Sequence, residues 1–118
     1  MDSFKQTYTE QCQGEVAAFL DFHRGNVIYY FIRNKKNQKR GVLLAARLEE
    51  SGEVMTGWSL CHKGDKFQKE IGLKKAIDRA ENGTSPNVVV PQIVRNTYLN
   101  RFADQIDAFF HKDRVLTN

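Results

Sequence analysis

Three short runs constrain this chain more than any other feature: residues 27–33 (VIYYFIR), 41–48 (GVLLAARL) and 54–61 (VMTGWSLC). Each has strand length and is rich in β-branched or aromatic side chains, which suit a pleated, half-buried surface. Only the polar stretch NKKNQKR and the turn EESGE separate them. Connections this short require antiparallel pairing, because a parallel crossover needs about a dozen residues or more. The runs therefore predict a three-stranded antiparallel β-meander.

The flanks predict helices. Ahead of the strands, Cys12, Val16, Phe19, Leu20 and His23 recur at i, i+3, i+4 spacing. That favours a short amphipathic helix closed by Gly25-Asn26, with a strand over Glu15–Phe22 as the rival reading. After the strands, His62-Lys63-Gly64 breaks the pattern and Asp65 is a good N-cap for a helix over Lys66–Glu81. Asn82-Gly83 ends it. On this helix Leu73, Ala76, Ile77 and Ala80 share one face, whereas Phe67 and Ile71 lie well around from it. Such a helix is either sandwiched or uses Phe67 to line a pocket or interface. TSPNVVV reads as a loop with room for an edge strand at Val88–Val90. Pro91 suits the first turn of a last helix reaching Lys112. Its apolar stripe comprises Tyr98, Leu99, Phe102, Ala103, Ile106, Phe109 and Phe110. The tail DRVLTN is expected to fray. The fold class is thus α+β, in a single domain over residues 1–118: a meander with a short N-terminal helix and two C-terminal helices.

Composition narrows the function classes. No run approaches the roughly 18 apolar residues that a membrane span needs. MDSFKQTYTE has no apolar h-region, so a cytoplasmic protein without a secretory signal is expected. Cys12 and Cys61 lack CxxC spacing and read as free thiols. His23, His62 and His111 are scattered, and Cys61 and His62 as strand neighbours point to opposite faces. Neither a metal nor a cofactor is expected, since a zinc site needs convergent ligands. A net charge of +4 and a pI near 9.2 permit phosphate-bearing partners without requiring them.

Residues 57–80, GWSLCHKGDKFQKEIGLKKAIDRA, carry the most information. Read as structure alone, they form a strand-to-helix corner. Gly64 permits the turn, Asp65 caps, and Gly72 admits a close neighbour at a cost of about 1 kcal/mol within a helix. Read as a site, the corner is an anion-binding concavity where backbone N–H groups and Lys66 or Lys69 meet a phosphate. HKGDK has neither the spacing nor the GK[ST] of a Walker loop. Arg95 falls within the apolar stripe of the last helix, which demands a carboxylate partner, a ligand, a subunit, or a first turn lying outside the core. Arg101 and His111 fall on the polar face as solvated charge. Lys35, Lys36, Lys39 and Arg40 form a basic hairpin tip suited to solvent or to nonspecific phosphate contact. Tyr29, Tyr30, Phe31 and Trp58 can stack bases only where they face outward. Alternation requires at least one of Tyr29, Tyr30 and Phe31 to do so. No GxSxG, HExxH or serine–histidine–aspartate pattern is legible, and Glu49, Glu50 and Glu53 share one turn without a cleft. Enzymatic activity is not expected.

Within residues 57–80, GWSLC precedes D-x-F-x-K-x-x-G-x-x-x-A-x-x-R, formed by Asp65, Phe67, Lys69, Gly72, Ala76 and Arg79. This pattern resembles small accessory proteins of bacteriophages and prophages. A meander followed by two helices is similar to the anti-Thoeris sponge proteins, which sequester cyclic ADP-ribose-type signals, and some of which bind cyclic oligonucleotides, as homo-oligomers. The resemblance implies a non-enzymatic counter-defence protein that holds a nucleotide-like ligand through arginine and aromatic side chains of its helices. The candidate ligand-binding residues are then Asp65, Lys66, Phe67, Lys69, Arg79, Arg95 and Arg101. The alternatives are a phage-type inhibitor or adaptor bound to a host protein, and a weak nucleic-acid binder using the basic hairpin tip.

Overall fold

The computed structural model describes residues 2–83 and 87–110, and side chains from residue 8 onward. Helix α1 (Asp2–Phe22) leads into strands β1 (Val27–Arg33), β2 (Lys39–Arg47) and β3 (Val54–Leu60). Then come α2 (Lys69–Asn82), α3 (Gln92–Thr97), a π turn (Tyr98–Phe102) and α4 (Ala103–Phe110). The sheet order is β1-β2-β3 with both pairings antiparallel. The meander and the α+β class are as the sequence predicts. Gln38 to Asn34 closes the first hairpin, where the Asn34 carboxamide oxygen accepts from the backbone N–H of Lys36 and of Gln38, both at 2.9 Å.

β2 is buried on both faces from Gly41 to Ala46, which explains its unbroken apolar run GVLLAA. Val42, Leu44 and Ala46 pack with Val16 and Phe19 of α1 and with Leu73, Ala76, Ile77 and Ala80 of α2. Leu43 and Ala45 on the opposite face pack with Ile32, Val94, Phe102, Ile106 and Phe110. The sheet is therefore a middle layer between the α1–α2 pair and the α3–α4 arm.

α1 is helical, and it starts at Asp2 rather than near Cys12, because no glycine or proline interrupts residues 2–13. It ends in a turn where His23 N–H donates to the Phe19 carbonyl and Gly25 takes φ +81°. Lys74 of α2 bridges Glu15 of α1 at 2.9 Å and Asp78 at 2.6 Å, so one ammonium ties both helices. These two carboxylates hold its pKa above the ordinary lysine range.

Three expectations need correction. α2 begins at Lys69, not Lys66. Its flanking residue is Gln68, in extended conformation with no side-chain cap, so Asp65 caps nothing. Residues 66–68 stay outside the helix, and Phe67 turns inward, edge-on to Phe31 at 6.0 Å between ring centres and against Gly72. Val88–Val90 forms no strand. Arg95 is exposed rather than central to the stripe. The π turn explains this: Ala103 N–H donates to the Tyr98 carbonyl, one residue further back than in an α-helix. That extra residue puts Val94 and Tyr98 against the sheet where α-geometry places Arg95 and Leu99. Leu99 is left 69% exposed. The described part of the last helix ends at Phe110, and His111 and the tail lie outside the described residues.

Candidate functional site

The strand-to-helix corner is a cavity of about 410 Å³, within the range of about 300–1,000 Å³ usual for small-molecule sites. Three elements, α1, β3 and α2, and the loop between the last two build it. β3 ends at Leu60, and the chain turns through Cys61–Asp65 with Gly64 at φ +94°. Positive φ there favours glycine. The Arg40 guanidinium holds the turn by donating to the carbonyls of His62 (2.7 Å) and Asp65 (2.9 Å). The Cys61 thiol donates to the same Asp65 carbonyl at 3.5 Å. Thr9 of α1 donates to Gln68 at 3.3 Å and closes the far side.

The lining combines flat, cationic and polar groups. Phe67 and Tyr8 supply rings, Lys66 and Lys75 supply ammonium groups, and Asp65, Gln68 and His62 complete the rim. Lys66 and Lys75 are exposed and make no ion pair among the described residues. A hydrogen bond with the Cys12 thiol pushes the Tyr8 phenol above its ordinary value, so it is a protonated donor at neutral pH. Ser59 lines the same cavity, is 2% exposed, and has a hydroxyl without a hydrogen-bond partner among the described residues. An unmet buried hydroxyl costs roughly 1–3 kcal/mol. The arrangement can hold a small anion that carries a flat ring.

Asp65, Lys66 and Phe67 thus come together, as the sequence reading proposes, but Lys69 does not line this cavity. The other candidates lie elsewhere. Arg79 reaches round the open edge of β3, stacks on Trp58 with its guanidinium carbon 3.9 Å from the ring centre, and donates to the Trp58 carbonyl at 2.8 Å. Burial lowers its pKa from the ordinary arginine value. Arg95 lies in a cleft between α3 and β3 and donates to Gln92 at 2.8 Å. Arg101 lines a hollow beside the π turn with Tyr30, Asp104 and Gln105. Tyr30 is 45% exposed there and donates to Gln105 at 3.1 Å.

Because Arg79 covers a strand edge, Arg79→Ala is expected to cost about 1–3 kcal/mol, combining a stacked cation and a charged hydrogen bond. Thermal melting measures it. The Arg79→Lys variant recovers little, since an ammonium neither stacks as a plane nor presents a fork.

Sequence reading missed Tyr8, Ser59 and Lys75. Lys75 was accessible, since it sits one helical turn beyond Ile71, whose position off the apolar face already marked that side of α2. Ser59 alternates onto the α2 face of β3 opposite Val42, a placement that only the register reveals. Among the described residues no group of His, Cys, Asp and Glu is placed to hold a metal ion, and no helix is long and apolar enough to cross a membrane. No family model, curated protein or solved structure matches the chain.

Proposed function

We propose that the protein binds a small nucleotide-like anion at the Ser59–Lys75 corner and holds it without turning it over. The observation that carries this reading is the convergence of Lys66, Lys75, Phe67 and Tyr8 on one cavity, with Ser59, whose hydroxyl is unpartnered among the described residues, in its wall. Ammonium groups suit phosphate as mobile point charges. A ring between Phe67 and Tyr8 would gain stacking worth about 1–3 kcal/mol.

The phage-like pattern over residues 57–80 supports a narrower form, in which the ligand is a cyclic nucleotide-type defence signal and the protein a sponge that removes it. Six residues of that pattern, Ser59, Leu60, Cys61, Asp65, Phe67 and Gly72, line the cavity. Homo-oligomerisation belongs to the same reading. Among the described residues β1 has an unpaired outer edge, and Phe22 is 84% exposed. Such surfaces are commonly covered by a second chain.

Native mass spectrometry of protein purified from cells tests these points together. The expected spectrum is an oligomer carrying a nucleotide-mass adduct, and the adduct disappears in a Lys66→Glu/Lys75→Glu variant. A bare species that also takes up no added cyclic nucleotide contradicts the reading.

A further inference from the structure

β1 and β3 are the outer strands of the sheet, and their free edges differ. β3 is guarded: Arg79 stacks on Trp58 and donates to its carbonyl. β1 is not. From Val27 to Ile32 it carries no proline and no charge, the devices that commonly keep an edge strand single, and its one register shift lies at the far end, between Ile32 and Arg33. The direction of its backbone groups follows from Arg47, whose N–H donates to the Asn26 carbonyl at 2.8 Å. Bonded pairs alternate from there, so Ile28, Tyr30 and Ile32 bond to β2, while Val27, Tyr29 and Phe31 turn N–H and C=O outward. Among the described residues no strand takes up those groups. The side chains of Val27, Ile28, Tyr29 and Phe31 are only half-buried, against complete burial along the middle of β2.

The strand is nearly symmetric about Tyr30: Ile28 matches Ile32, and Tyr29 matches Phe31. A twofold axis at Tyr30 therefore sets Tyr29 opposite Phe31 of another copy, twice over, on the face that packs with α1 and α2. Charge favours the same arrangement. The β1–β2 tip is basic, with Arg33, Lys35, Lys36 and Lys39 exposed. The β2–β3 turn, at the other end of the sheet, is acidic, with Glu49, Glu50 and Glu53 exposed. Two arginines near that end are already engaged, Arg47 by the Asn26 carboxamide and the Phe110 carbonyl, and Arg24 by Asp21. Antiparallel pairing of two β1 edges lays the basic end of each copy along the acidic end of the other, whereas parallel pairing sets like charge against like. We infer that β1 is a dimerisation strand, joining two copies of this chain about a twofold axis into one continuous antiparallel sheet. A twofold interface demands a self-complementary surface, which this edge supplies in backbone, side chains and charge. The inference rests on the homo-oligomerisation proposed above, to which it gives a surface, and it needs no ligand.

Sedimentation and amide hydrogen exchange of the ligand-free full chain, from ~5 to ~200 µM, test it. The expected result at the upper end is a species of twice the 13.6 kDa chain mass. There the Tyr29 and Phe31 amides should exchange at least ~100-fold more slowly than in the dilute monomer. Tyr30→Lys puts two like charges on the axis and should raise the dimer dissociation constant at least ~fivefold. Tyr30 is 45% exposed, so that variant is expected to fold. Lys35→Glu/Lys36→Glu and Glu49→Lys/Glu50→Lys should each self-associate at least ~threefold more weakly, and mixing the two variants should restore association. A monomer at every concentration overturns the inference, as does a mixture that associates no better than either variant alone. Slow exchange of Tyr29 and Phe31 in the monomer also overturns it, since another segment of the chain then covers the edge. A dimer in which both amides still exchange freely overturns β1 as the contact while leaving homo-oligomerisation standing. Nucleotide uptake at the Ser59–Lys75 corner is measured separately and is unaffected by any of these outcomes.

Discussion

Gly57→Ala is expected to destabilise the protein by about 3 kcal/mol or more, and to lower its melting temperature by roughly 10–15 °C. Gly57 is where β3 meets α2 backbone to backbone. A Cβ there would overlap the Ala76 carbonyl oxygen and lie 2.8 Å from the Ala80 nitrogen and 2.9 Å from the Ala76 carbonyl carbon. All three are main-chain atoms of a helix, so no side chain can swing aside. Relief requires α2 to lift off the sheet, and that loosens Leu73 and Ile77 from Val42 and Leu44. Gly72→Ala is the internal control. Its Cβ would meet the Phe67 ring at 2.9 Å and Val42 Cγ2 at 3.2 Å, both side-chain atoms. A gain in helix propensity of about 1 kcal/mol offsets part of that crowding. Chemical denaturation of the two variants should therefore separate them clearly. Equal stabilities would show that α2 does not rest on Gly57 as described.

The second large effect concerns binding. Lys66→Glu/Lys75→Glu is expected to weaken nucleotide binding by at least about 100-fold, since each charge-assisted contact contributes roughly 1.5–3 kcal/mol and the new carboxylates repel the ligand. Both side chains are exposed and unpaired among the described residues, so melting should be nearly unchanged. Calorimetry with a cyclic dinucleotide measures the loss. An unchanged affinity would place any bound ligand outside the corner.

Much of the fold was legible because local signals agreed with tertiary structure. VIYYFIR, GVLLAARL and VMTGWSLC are strands in sequence and in space, and the short linkers leave only the meander. The failures are local and share a cause: a tertiary contact overrode a local preference. Asp65 is a good cap by type, yet Phe67 does more by tucking under α2, so the helix starts four residues after Asp65. Arg95 and Leu99 fit an α-helical stripe, but one extra residue in the π turn moves both outward. No periodicity at 3.6 residues can anticipate that insertion. The corner site was legible from Gly64, Asp65, Lys66 and Phe67, which are close in sequence. Tyr8 was not, because its approach depends on how α1 packs across α2.

The corner is tested most directly by amide chemical shifts of ¹⁵N-labelled protein titrated with cyclic ADP-ribose and, separately, a cyclic dinucleotide. For at least one of them, saturable shifts are expected to concentrate on Tyr8, Ser59, Cys61 to Gly72, and Lys75. Unmoved spectra with both ligands, or shifts centred on the Asn34–Arg40 loop instead, would contradict the assignment of this cavity as the binding site.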